Sequence, residues 1–206
     1  MFSWRAMKQH FIEMRGYIAF MTILFLAGIF VGASNASLEQ MISGQIAGLQ
    51  EMSRQIDESS NPGLMMFLFI FFNNAIKSLL VMYLGVFFGV VPLFFILING
   101  MVLGYLFANN PQPSIDLFTL ITRGILPHGI IEIPAIIIAG AYGVRFGVLT
   151  FKGIGALFRR DGRFGRVYEA FAVRTVPLMV WLTVGLLLAA VIESTVTVWL
   201  LSTAFN

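Results

Sequence analysis

The stretch His128-Gly-Ile-Ile-Glu132 sets an imidazole and a carboxylate four residues apart, and therefore on one face of a helix. Asn73 and Lys77 have the same spacing and share a face in the same way. With Asn74 and Asn99 they make an intramembrane polar set of Asn73, Asn74, Lys77, Asn99, His128 and Glu132, because all six fall in long apolar stretches. Arg145 and Glu193 are further ionisable groups in such stretches, and Arg123 lies just ahead of His128. Groups of this kind are costly in hydrocarbon and are kept beside a partner or for a function.

Three uses fit these residues. In the first, a Lys77–Glu132 pair is structural, with His128 and the asparagines completing its hydrogen bonds. In the second, His128 and Glu132 ligate a divalent metal such as zinc, although they supply two ligands at most and the H-E-x-x-H pattern is absent. In the third, Pro127 and Pro134 break a helix and open backbone groups to an ion or proton path, as in many transporters. No internal repeat between the halves supports that third use.

Other chemistry is excluded more directly. The chain has no cysteine, so thiol catalysis, disulfides and iron–sulfur ligation are out. Asp57, Asp116 and Asp161 lie outside the apolar stretches and no G-x-S-x-G elbow occurs, which disfavours a Ser/His/Asp hydrolase. Gly153, Gly155, Gly162 and Gly165 lack the glycine-lysine-Ser/Thr ending of a phosphate loop. His10 lies in a basic N-terminal segment and reads as an interfacial residue.

The elements that must hold these groups follow from composition. Of 206 residues, 58% are hydrophobic and 11% charged, with a net charge of +3. Soluble domains run near 45–50% apolar and about 25% charged. A water-soluble globule is thus excluded, as is a disordered chain, which requires low hydrophobicity. The charge is too small and scattered for a nucleic-acid partner. What remains is an all-α polytopic membrane protein, one membrane domain over 1–206. A span needs roughly twenty apolar residues to cross about 30 Å of hydrocarbon. Five transmembrane helices are predicted at about 17–34, 64–90, 92–107, 128–149 and 175–201, with a half-helix at 114–126 before His128.

Basic residues set the direction. Arg5, Lys8 and Arg15 precede the first span, and Lys152, Arg159, Arg160, Arg163 and Arg166 lie in a basic loop over 151–173. Between the first two spans Arg54 faces Glu39, Glu51, Asp57 and Glu58, and 108–113 has no basic residue. The prediction is a plasma-membrane protein with a cytoplasmic N-terminus and an extracytoplasmic C-terminus.

Within the outer segment, Leu38, Met41, Ile42, Ile46, Leu49, Met52 and Ile56 recur at helical spacing. Ser37 and Gln40 form a capping box at its start. An extracytoplasmic amphipathic helix over 37–59 is expected, either lying on the bilayer or capping the bundle, or else docking a partner. Four Gly-x-x-x-Gly spacings occur in the spans: Gly28/Gly32, Gly85/Gly89, Gly100/Gly104 and Gly143/Gly147. They allow close helix packing in lipid. Four pairs exceed what one small bundle needs, so a homodimer is expected beside lipid as a partner.

The ordered set Phe72-Asn73-Asn74, Gly85, Gly89, Pro92, Asn99-Gly100, Gly104, His128-Gly129, Glu132, Ala135 and Gly143 resembles the stage II sporulation protein M family. The resemblance runs from about the second span through the fourth. It implies a five-span membrane protein of bacteria or archaea with its N-terminus inside. In endospore formers such a protein acts in engulfment as the membrane anchor of a peptidoglycan-degrading machine, recruiting the cell-wall hydrolases called stage II sporulation proteins P and D. No active-site assignment comes with the family, so His128 and Glu132 carry over only as signature positions. The expected function is a non-enzymatic scaffold without a cofactor. The alternative is a small transporter or metal-dependent membrane enzyme working through the polar set.

Overall fold

The computed structural model describes residues 4–34, 44, 48, 51–109, 116–158 and 164–203. Among the described residues there is no strand, and five helices are long and apolar enough to cross a membrane. They are α1 (Trp4–Ser34), α2 (Pro62–Leu84), α3 (Val90–Ala108), α4 (Leu117–Phe158) and α5 (Phe164–Ser202). The chain is an all-α polytopic membrane protein. Outward-facing positions such as Phe30, Phe94, Trp181 and Trp199 are apolar and exposed. That surface suits lipid and would be insoluble in water.

Local chemistry starts and stops the helices. The Asn61 side chain accepts a hydrogen bond from the Leu64 N–H at 3.1 Å, and Pro62 occupies the first turn of α2, where a missing N–H costs nothing. Between α2 and α3 the chain turns through Phe88 (φ 57°) and Gly89 (φ 75°). Left-handed backbone is cheap for glycine and uncommon elsewhere. The break between the second and third spans therefore falls at this turn, a few residues before Pro92.

The expected half-helix and separate fourth span are one helix instead. Asp116 caps it, accepting from the Thr119 N–H and hydroxyl at 2.8 Å each. After one α-turn the backbone widens into a π stretch, Leu120–Ile125, and then continues as α-helix to Phe158 through Pro134. Pro127 removes the bond its nitrogen would make four residues back, and that acceptor, the Arg123 carbonyl, lies in the π stretch. The defect is absorbed as a local change of helix type rather than a break.

The basic 151–173 segment is also mostly helix, since α4 runs to Phe158 and α5 begins at Phe164. Arg159, Arg160 and Arg163 lie outside the described residues. So do Leu38, Met41, Ile42, Ile46 and Leu49 of the expected outer helix. Its described part is helical over 51–57, with Ile56 buried, Met52 half-buried, and Glu51, Arg54 and Asp57 exposed. Arg54 pairs with Glu51 at 2.9 Å and with Glu58 at 3.4 Å on that outward face.

The four glycine pairs are consumed inside the chain. Gly28 and Gly32 of α1 lie against Gly100 and Gly104 of α3: a β-carbon on Gly28 would come 2.6 Å from the Leu97 carbonyl oxygen, and one on Gly32 would collide with the Met101 backbone. Gly85 and Gly89 meet Gly143, Val144 and Gly147 of α4 in the same manner. In lipid, close backbone approach is itself a main source of helix association. The homodimer expected from a surplus of these pairs is left without them as its face.

Candidate functional site

Two polar assemblies meet at Glu132. The first joins the early part of α4 to the end of α5. His128 Nε2 lies 3.9 Å from Glu193 Oε2, and His128 Nδ1 lies 3.3 Å from Thr197 Oγ1. One ligand atom from each of His128, Glu132 and Glu193 falls within 4.8 Å of the others. The His128 and Glu193 side chains are 14% and 26% exposed.

Spacing explains why α5 can present both groups. Glu193 opens a second π stretch, Glu193–Thr197, and Thr197 closes it. Four residues apart, the two side chains share one face of the helix, and both lie against His128. Two π stretches, one on each helix, flank the same cluster. Such stretches recur at functional sites.

The second assembly is a cavity of about 750 Å³ among α2, α3 and α4, lined by Asn73, Asn74, Lys77, Ser78, Asn99 and Glu132. Gly48 and Met52 of the outer segment also line it. Asn73 Nδ2 donates to Asn74 Oδ1 at 3.2 Å, and Asn99 Nδ2 donates to the Phe95 carbonyl at 2.7 Å. Ser78 is fully buried and its hydroxyl has no protein partner among the described residues.

The structure thus brings five of the six polar-set residues to one cavity and places His128 outside it. Lys77 and Glu132 share that cavity but form no ion pair among the described residues, and Lys77 is exposed at its rim. The partner facing His128 across the helices is Glu193, which the sequence marked as an intramembrane ionisable group without linking it to His128. Thr197 was missed. The one signal for it is that Glu193 and Thr197 repeat the four-residue spacing of His128 and Glu132.

Arg145 belongs elsewhere. Its guanidinium donates to Tyr17 Oη at 2.9 Å at the opposite end of the bundle. There His10 is buried among side chains: its ring packs edge-on against Tyr142, with centroids 5.1 Å apart, and against Phe171. Arg174 lies 3.6 Å from Glu13 beside it.

Outside the spans, two carboxylates are held below their usual range. The Thr119 N–H, and then its hydroxyl, do this for Asp116; Arg54 and then Gln55 do it for Glu51. Chemically, the His128 cluster offers one imidazole nitrogen and two carboxylate oxygens, a set that can hold a proton or a divalent cation.

The family model described as stage II sporulation protein M matches residues 21–198. Comparison with curated proteins and with solved structures finds no match. The matched stretch takes in just under half of α1, all of α2, α3 and α4, most of α5, and all the residues of both polar assemblies. By that match, over far more than half its length, the chain belongs to the stage II sporulation protein M family.

Proposed function

We propose that this protein is a non-enzymatic membrane scaffold that recruits or anchors peptidoglycan-remodelling partners, of the engulfment type in a spore-forming host. The observation that carries the reading is the family match across all five helices. The distribution of basic residues puts 35–61 and 109–116 on the extracytoplasmic side. On that side Ile56 is anchored in the bundle while Glu51, Arg54, Asp57 and Glu58 face outward as a charged patch. Close packing at the glycine pairs ties α1 to α3 and α2 to α4, a support on which a docking surface can be displayed.

The test is a photo-crosslinking amino acid placed at Glu51 or Asp57 in living cells. Capture of an extracytoplasmic cell-wall hydrolase, lost when Glu51, Asp57 and Glu58 are all changed to lysine, is the expected result. Hydrolase localisation that is indifferent to both the triple variant and deletion of the protein would overturn the scaffold.

One observation favours a second reading as a small transporter or metal-dependent membrane enzyme: the 750 Å³ cavity with an orphan buried hydroxyl. On that reading Lys77→Met gives a folded protein that still assembles with its partners but has lost its activity.

A further inference from the structure

We propose that His128, Glu132 and Glu193 bind one divalent transition-metal ion of the zinc class, clasping the early part of α4 to the end of α5. The inference is independent of the scaffold reading and rests on four observations.

The ligand atoms are of the right kind and nearly in place. Zinc sits about 2.0–2.2 Å from imidazole nitrogen and carboxylate oxygen. Tetrahedral geometry at that length holds neighbouring ligands roughly 3.3–3.6 Å apart. The 3.9 Å between His128 Nε2 and Glu193 Oε2 exceeds this by a few tenths of an ångström, and the whole set lies within 4.8 Å. Rotations about side-chain bonds close that gap without moving a helix.

Charge balance gives a cation a place. Two glutamate carboxyls lie within 4.8 Å of each other in an apolar span, and among the described residues no lysine or arginine pairs with either, so in their ionised form a bound cation would be their counter-charge. Buried charges that are neither paired nor metal-bound are heavily penalised. A dication with a neutral imidazole cancels the two negative charges.

The imidazole is oriented for the task. His128 Nδ1 and Thr197 Oγ1 lie 3.3 Å apart, a contact in which the Nδ1–H tautomer would donate to the hydroxyl and leave Nε2 to face the carboxylates. Metal-binding histidines characteristically tie their second nitrogen to such an outer partner, which sets the tautomer. Finally, the four-residue spacing of Glu193 and Thr197 puts the ligand and the orienting hydroxyl on the same face of α5. Three protein ligands leave one tetrahedral position for water or an incoming donor.

The experiment uses the full chain, purified in detergent without chelator. Metal analysis should find about one equivalent of zinc, and cobalt(II) added to the stripped protein should give the intense visible bands of a four-coordinate N/O site. Glu193→Gln and His128→Gln should abolish both signals. Thr197→Val keeps all three ligands and should weaken cobalt binding by about 10–100-fold. It also keeps the test decisive should the ligand variants fail to fold, as judged by gel filtration. Cobalt spectra that match the aqueous ion, or binding identical in wild type and in the Thr197→Val and Glu193→Gln proteins, would overturn the proposal.

Discussion

His128 of α4 and Glu193 of α5 approach to 3.9 Å between Nε2 and Oε2, while the hydroxyl of Thr197 holds the other ring nitrogen at 3.3 Å. The imidazole is thus met at both ring nitrogens by one helix, through two side chains four residues apart. This contact, rather than a Lys77–Glu132 pair, is what joins the polar groups of the early part of α4 to a neighbour.

His128→Ala should lower stability by about 1–3 kcal/mol, the cost of stripping the partner from buried polar groups. A double-mutant cycle between His128→Ala and Thr197→Val should show coupling of about 0.5–3 kcal/mol. Thermal unfolding of the four proteins in one detergent checks this. Strict additivity would mean that the 3.3 Å contact contributes nothing.

Glycine substitutions should split by position. Gly32→Ala and Gly104→Ala drive a β-carbon into the Met101 and Ile29 backbones and should destabilise by about 1–3 kcal/mol or more. Gly16→Ala, in α1 with nothing within 4 Å of the added carbon, should stabilise by about 0.5–1 kcal/mol through helix propensity. Unfolding midpoints of the three variants decide it, and equal shifts at all three sites would count against the α1–α3 packing.

Ser78→Ala should be neutral or stabilising, because it deletes a buried hydroxyl that has no protein partner. Removing an unsatisfied group relieves its desolvation cost, on the order of 1–3 kcal/mol at most. A clear loss of stability or activity would instead show that the hydroxyl serves a ligand or water in the 750 Å³ cavity.

The start of α4 should loosen in acid. Hydrogen bonds from Thr119 hold the Asp116 carboxyl below its usual range, so the folded value lies under the unfolded one. The cap's contribution is therefore complete above the ordinary carboxylate pKa of about 3.9 and is lost as pH falls through the depressed folded value. Hydrogen exchange at the Thr119 amide should speed up across that window relative to mid-helix amides. In Asp116→Asn, whose side chain can still cap, that acid dependence should vanish.

Much of this architecture was legible from residues alone. In hydrocarbon a backbone must satisfy its own hydrogen bonds, so an apolar run of about twenty residues has essentially one solution. That is why five spans and their all-helical class could be read directly. The four-residue spacing of His128 and Glu132 likewise dictated a shared face, and the paired glycines dictated close contacts. Which glycines meet, and which side chain faces His128, depends on how each helix is rotated about its axis. No local spacing encodes that rotation. Lys77 and Glu132 had complementary charges yet do not pair among the described residues, whereas Glu193 reaches His128 across the contact between α4 and α5. Pro127 looked like a break and became a change of helix type, since the neighbouring backbone could widen to absorb one lost bond. Element identity follows from the bilayer and the chain's own pattern, while the site follows from helix rotation and register, which only packing in three dimensions decides.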